Sequence, residues 1–184
     1  MRKENLTIAL FGGSFDPPHI GHKDIVKKLK KLDFIDKIII MPTFLNPFKS
    51  KSHASSELRF SWLKKIFNDF KNVEISSFEV DQNRQVPSIE SVEFLLKEYK
   101  KIYLVIGADH LNSLDKWDSY EKLKESVIFI IVTRDNIAVN RDFITLHVEQ
   151  DISSSSLRNK LDISKVPQIC AKEIEKFYKD INEQ

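Results

Sequence analysis

Two rhythms of apolar residues alternate along this chain. Short unbroken runs, Leu6–Phe11, Lys37–Met41 with Ile38-Ile39-Ile40, Ile102–Ile106 and Val127–Val132, fit strands buried on both faces. Val73–Val80 opens with the alternation Val73-Glu74-Ile75 and is predicted as a further strand. Phe143–Val148 alternates as a sheet edge does. Between these runs apolar residues recur at helical spacing. Ile25, Val26, Leu29 and Leu32 share one face of a helix over His22–Leu32. Leu58, Trp62, Leu63, Ile66, Phe67 and Phe70 form a wide stripe over Ser55–Phe70, which Ser55 or Ser56 can cap. A helix from Ile89 to about Lys100 follows a Ser88 cap. A last one, with Ile169, Ile174, Phe177 and Ile181, begins near Pro167. Strand, helix and strand within the first 42 residues make a βαβ unit. The pattern predicts an α/β fold on an open parallel sheet with right-handed crossovers.

The breaks between elements hold the candidate chemistry. The first strand runs into Gly12-Gly13-Ser14-Phe15-Asp16-Pro17-Pro18-His19-Ile20-Gly21-His22. A glycine pair there allows positive φ or the close approach of a ligand. The first N–H groups of the following helix point outward unpaired and attract phosphate. His19 and His22, three residues apart, can present both imidazoles to one side. A polyphosphate site, a metal pair and a plain turn all fit this stretch. A metal pair needs further ligands, and His53, His110, His147 and Cys170 are scattered. The loop from Pro42 to His53 leaves the carboxyl end of the second strand, where open parallel sheets place ligands, and Lys49 on it can neutralise phosphate. Gly107-Ala108-Asp109 sits at the corresponding turn after a later strand; Asp109 either caps the next helix or contacts a ligand. Trp117 can stack on a planar ring or simply pack. Four serines, Ser153 to Ser156, precede Leu157 and Arg158. They exceed what one helix cap requires and, with the arginine, outline either a second anion site or a flexible serine linker.

Composition narrows the field without naming a function. The 184 residues suffice for one domain, predicted over 1–184 with a C-terminal helical part from about 151. A net charge of +2 gives no case for nucleic acid, and Lys27, Lys28, Lys30 and Lys31 fall on the outer face of the first helix. The one cysteine, Cys170, excludes an internal disulfide framework and sits in an apolar helical pattern. No apolar stretch reaches the ~20 residues of a bilayer span, so a cytoplasmic protein with no membrane partner is expected. Self-association is left open.

Gly-Ser-Phe-Asp-Pro-Pro-His-Ile-Gly-His resembles the signature of the HxGH nucleotidyltransferase superfamily. Ile106-Gly107-Ala108-Asp109 with Trp117 is similar to the GAD…W segment of the nicotinate-nucleotide adenylyltransferases within it. Asp151-Ile152-Ser153-Ser154-Ser155-Ser156-Leu157-Arg158 resembles that family's ISSTxIR motif, with Ser155 where threonine is usual. Val166-Pro167 through Phe177-Tyr178 resembles its terminal helix. Two segments depart: Asn46-Pro47-Phe48-Lys49 stands where the family has PPHK, and Val86-Pro87-Ser88-Ile89-Glu90 where it has GPSYT. The resemblance implies a Rossmann-like doubly wound parallel sheet with helices on both faces. It also implies transfer of AMP from ATP to nicotinate mononucleotide in NAD biosynthesis, with Mg2+ accompanying ATP. On this reading His19, His22, Lys49 and Arg158 are catalytic. ATP lies against Gly12, Gly13, Ser14, Phe15, Gly107, Asp109, Ser153, Ser154 and Ser155. The nicotinate nucleotide lies against Asp16, Ser88, Ile89 and Trp117. No protein-held metal is implied, and Glu90 is expected to turn away from the substrate carboxylate.

Overall fold

Every strand pairing in the sheet is parallel. The computed structural model describes residues 5–133, 139–149 and 152–182. Along the chain come β1 (Thr7–Gly13), α1 (Ile20–Leu29), β2 (Lys37–Pro42), α2 (Ser56–Phe67), β3 (Val73–Ile75), α3 (Phe78–Asp81), α4 (Ser88–Leu96) and β4 (Lys101–Gly107). A 3-10 helix over Ala108–Lys116 then leads to α5 (Tyr120–Ser126), β5 (Ile128–Thr133), β6 (Ile144–His147), α6 (Ser154–Asn159) and α7 (Gln168–Asn182). The strands lie in the order β3-β2-β1-β4-β5-β6. The order reverses between β1 and β4, and ligands of doubly wound sheets bind at the carboxyl ends of strands at such a switch point. Gly12-Gly13 and Gly107 end those two strands.

Side-chain alternation builds two cores from one sheet. Ala9, Phe11, Ile38, Ile40, Val105 and Ile130 face one side, against Val26, Trp62 and Ile174 of α1, α2 and α7. Ile8, Leu10, Ile39, Met41, Leu104 and Ile131 face the other, against Val92, Leu95 and Leu123 of α4 and α5. Apolar runs without polar alternation, as in Ile38-Ile39-Ile40, are what a sheet covered on both faces demands. Cys170 is core: its Sγ lies 3.7 Å from the Trp62 carbonyl, and burial pushes its thiol up.

Four expectations need correction. The strand predicted over Val73–Val80 stops at Ile75, and Phe78–Asp81 forms a helical turn. Phe78 and Val80, two apart, mimic strand alternation. The turn instead lets Phe78 stack on Phe94 of α4, with centroids 4.1 Å apart, and carries Glu79 inward to Ser91. Helix α4 begins at Ser88 with Pro87 as its cap and ends at Leu96, short of Lys100. Helix α1 begins at Ile20, so His19 is its N-cap and His22 lies in its first turn. Gly12 and Gly13 take no positive φ; the left-handed residue of that loop is Phe15, at φ 50°. Asp151 lies outside the described residues.

Candidate active site

The loop between β1 and α1 is held from below by two buried charged residues. The Arg59 guanidinium, 0% exposed on α2, donates from Nη1 to the Ser14 carbonyl at 2.6 Å. It also donates to the carbonyls of Ala54, Thr43 and Phe44 at 3.0, 2.8 and 2.8 Å. One fork therefore ties the phosphate-type loop to the loop that carries Lys49. Asp16 accepts from the backbone N–H groups of His53 and Ala54 at 2.9 and 3.0 Å and from the Tyr178 hydroxyl at 2.5 Å. Burial alone would raise the Asp16 carboxyl. The bonds from Tyr178, His53 and Ala54, with the Arg158 charge, outweigh it and hold the group below the usual carboxylate range. Tyr178 is pushed well above the ordinary phenol value by burial and by this bond.

A group with a depressed folded pKa contributes stability above its unfolded pKa, and loses it as pH falls through the folded value. Tyr178→Phe removes the strongest of the bonds that depress Asp16. The variant is expected to lose about 1.5–3 kcal/mol near neutral pH, the scale of a hydrogen bond to a charged group. Its acid unfolding, followed by circular dichroism from pH 7 to pH 2, should begin at higher pH than that of the unaltered protein. Coincident acid transitions would show that the bond contributes nothing.

Above this base the two histidines stack, with ring centroids 3.6 Å apart and planes 26° from parallel. The backbone N–H of His19 donates to Nδ1 of His22 at 3.1 Å. A neutral His22 must then carry its proton on Nε2, the atom farthest from that bond. Phe15 meets the His22 ring edge-on at 4.8 Å and limits its rotation. His22 is thus a fixed donor aimed away from the backbone.

Chain ends meet at the same loop. Arg158 Nη1 donates to the carbonyl of Asp16, and Ser154 Oγ donates to that of Pro17 at 2.9 Å. Arg158 Nη2 also donates to Ser155 Oγ at 3.0 Å. Ser153 and Ser156 cap α6 reciprocally, each backbone N–H donating to the other's hydroxyl. All four serine hydroxyls are therefore engaged within the protein. Partial burial and the positive charges of Arg158 and Arg59 pull the Lys49 ammonium below its usual pKa, with Asp16 opposing. Cations from three distant parts of the chain repel one another here, and a bound anion would relieve that repulsion.

Two hollows open at the switch point and share Phe11, Gly12, Gly107 and His110. One, of about 290 Å³, is lined by His22, Asp109 and Val132. The other, of about 190 Å³, is lined by Thr43, Phe48, Glu79, Ser88 and Trp117. Two glycines keep them open. A Cβ at Gly12 would meet only the Met41 carbonyl, at 3.9 Å, so its open side is free for a ligand. A Cβ at Gly107 would fall 2.2 Å from Asp109 Oδ1, so a larger residue there would make that carboxylate swing aside. Asp109 is not the helix cap; Gly107 holds that position, with no side-chain cap bond. Trp117 stands 6.3 Å from the Phe48 ring, centroid to centroid, and edge-on to His110 at 5.6 Å. Asn46 shapes the lysine loop by accepting from the backbone N–H groups of Phe48 and Lys49, at 2.9 Å each. Gln85 clips that loop through the Lys49 carbonyl at 3.2 Å.

The predicted residues thus sort by place. Gly12, Gly13, His22, Ser88, Gly107, Asp109 and Trp117 line the hollows. Ser14, Phe15, Asp16 and His19 belong to the loop that supports them. Asp16 spends its carboxylate on that support rather than on either hollow. Ile89 packs into the core beneath α4. Glu90 pairs with Arg84 at 2.6 Å, turned to the outside. Sequence reasoning gave no role to Arg59, Thr43 or Glu79, and named Tyr178 only as part of the terminal-helix motif. Arg59 falls on the apolar stripe of α2 with Trp62, Leu63 and Ile66, and a charge on a buried stripe was the available signal. Glu79, between Phe78 and Val80, gave the same signal but was hidden by the strand reading.

A strand-to-helix loop carrying a held histidine ring, at the switch point of a doubly wound sheet and beside two hollows, is the architecture of a Rossmann-like nucleotide-binding fold. The Cytidylyltransferase-like family model matches residues 10–160. A protein of Sulfurimonas denitrificans named "Probable nicotinate-nucleotide adenylyltransferase" is 60% identical over 95% of this chain and 96% of its own length. The chain belongs to the cytidylyltransferase-like family and, within it, to the nicotinate-nucleotide adenylyltransferases. A protein of the same name from Campylobacter jejuni (strain 81116) is 48% identical over 96% of this chain and 98% of its own. The fold is shared with the Plasmodium falciparum nicotinic acid mononucleotide adenylyltransferase complexed with NaAD. That structure has a TM-score of 0.77 at 21% identity and covers 95% of this chain and 98% of its own.

Proposed function

We propose that this chain transfers the adenylyl group of ATP to nicotinate mononucleotide, releasing pyrophosphate and forming nicotinate adenine dinucleotide. The observation that carries the reading is the gathering of His22, in the wall of one hollow, with Arg158, bonded to the Asp16 carbonyl, and Lys49, within the field of Arg158 and Asp16. An oxygen of the acceptor's 5′-phosphate attacks the α-phosphorus, and the bond to the pyrophosphate oxygen breaks. The attacking phosphate is already ionised at neutral pH, so no protein nucleophile or general base is needed. Catalysis is alignment and stabilisation of charge. His22, through its Nε2–H, donates to the transferred phosphate. Lys49 and Arg158 hold the outer phosphates, and Gly12 lets the nucleotide lie close to the backbone. The larger hollow takes the adenosine side, by Gly107 and Asp109; the Trp117 hollow takes the pyridine. Magnesium enters as MgATP. Magnesium is content with phosphate and water oxygens and needs no cage of protein ligands. Among the described residues no helix is long and apolar enough to cross a membrane.

Pyrophosphate release with ATP and nicotinate mononucleotide, compared with nicotinamide mononucleotide and phosphopantetheine, tests the acceptor. Fastest release with the nicotinate nucleotide is expected; tight ATP binding with no release on any acceptor would mean a binding module instead. Trp117→Ala is expected to raise the KM for the nicotinate nucleotide about tenfold or more, on the scale of a lost ring stack of 1–3 kcal/mol. The KM for ATP should move much less, and equal rises would remove the stacking role.

A further inference from the structure

Among the described residues, three that line the same hollow each hold a buried side-chain polar atom without a hydrogen-bond partner: Thr43 Oγ1, Glu79 Oε2 and Trp117 Nε1. Buried polar groups are normally paired, so three orphans around one space point to a polar ligand there. Glu79 is the unusual member. It is 6% exposed, and its Oε1 accepts from the Ser91 hydroxyl at 2.7 Å, which leaves Oε2 open. The Phe48 and Trp117 rings of the same hollow suit a flat ring that carries a polar substituent.

We infer that Glu79 is a specificity-determining residue whose open Oε2 meets the substituent on the acceptor's pyridine ring. This rests on the acceptor reading above. A substituent that is a carboxylate needs a donor, and a neutral Glu79 supplies one through its O–H. An ionised Glu79 repels a carboxylate but accepts from the NH2 of a carboxamide. Burial, with the Ser91 bond and the Arg59 charge opposing and Glu90 adding, pushes the Glu79 carboxyl up to about 7. The charged or titratable groups around it are Arg59 on α2, Glu90 on α4, which Arg84 holds, and His110 and Asp118 in the wall of the hollow. The choice between acid and amide acceptors therefore changes across neutral pH, with the acid favoured below it.

The experiment measures the KM of nicotinate mononucleotide and the inhibition constant of nicotinamide mononucleotide from pH 6 to pH 8.5. Both nucleotides carry the same 5′-phosphate, so the ratio of inhibition constant to KM cancels its titration. In the unaltered protein this ratio should fall about tenfold or more over the range, because a group titrating near 7 goes from mostly neutral to almost wholly ionised. Glu79→Gln keeps an acceptor for Ser91 and a donor for the substrate but does not titrate. Its ratio should stay within about twofold, with the KM for ATP unchanged. Ser91→Ala removes a bond that favours ionised Glu79, so it should move the midpoint of the ratio to higher pH. It provides the test should Glu79→Gln fold poorly. Parallel pH profiles in the unaltered and Gln proteins, or an unmoved midpoint in Ser91→Ala, would overturn this inference alone. No turnover of nicotinate mononucleotide by the unaltered protein at any pH would overturn the acceptor reading with it.

Discussion

His22→Ala is expected to lower kcat by about two to three orders of magnitude, the cost of losing one fixed donor to charge that develops in the transition state. Steady-state kinetics and a thermal melt check it together. The His22 ring lies against Phe15 and His19 on the surface of the loop, so the melting temperature should fall by only a few degrees. The KM for ATP should change little, because the lost bond is made mainly in the transition state. His22→Asn offers a finer check: its amide can donate but is not held by the His19 N–H in the same way, so it should recover only part of the rate. Near-normal turnover in His22→Ala would remove the histidine from the chemistry.

The second large effect is structural. Arg59→Leu is expected to destabilise the protein by about 3–5 kcal/mol, as breaking a buried, fully hydrogen-bonded charge does. Four carbonyls, of Ser14, Thr43, Phe44 and Ala54, lose their donor at once. The Asp16 carboxylate loses a neighbouring positive charge, since the two attract. Urea unfolding should show a lower midpoint at similar slope. Where the variant stays folded, the KM values for both substrates should rise, because the guanidinium joins the loop bearing His22 to the loop bearing Lys49. Arg59→Lys keeps the charge but offers no planar fork to four oxygens, so it should recover less than half of the loss. A midpoint equal to that of the unaltered protein would show that water replaces the guanidinium at little cost.

Much of this was legible in the linear chain. Ile38-Ile39-Ile40 and Val127–Val132 announced strands covered on both faces, because a parallel sheet leaves no side for polar residues. The glycine pair, His19 and His22 marked a strand-to-helix turn, and that turn lies where β1 ends at the switch point. These signals are local: period, caps and turn chemistry act over a few residues, and neighbouring residues report them. Val73–Val80 was misread for the same reason. Phe78 and Val80 alternate as a strand does, and only Phe94 and Ser91, on another helix, make the helical turn the better arrangement.

What the sequence determined by itself is the parallel α/β plan and the loop between β1 and α1. The tertiary structure decided what surrounds that loop. Arg59, Asp16, Tyr178 and Arg158 come from four separate elements, and nothing in their own segments says that they will share one network. Glu79 became an interior carboxyl with one open oxygen only when α3 was pressed between β2 and α4. Burial, hydrogen-bond satisfaction and the field of neighbouring charges depend on which distant residues arrive, and folding sets that arrival after local pattern has done its part.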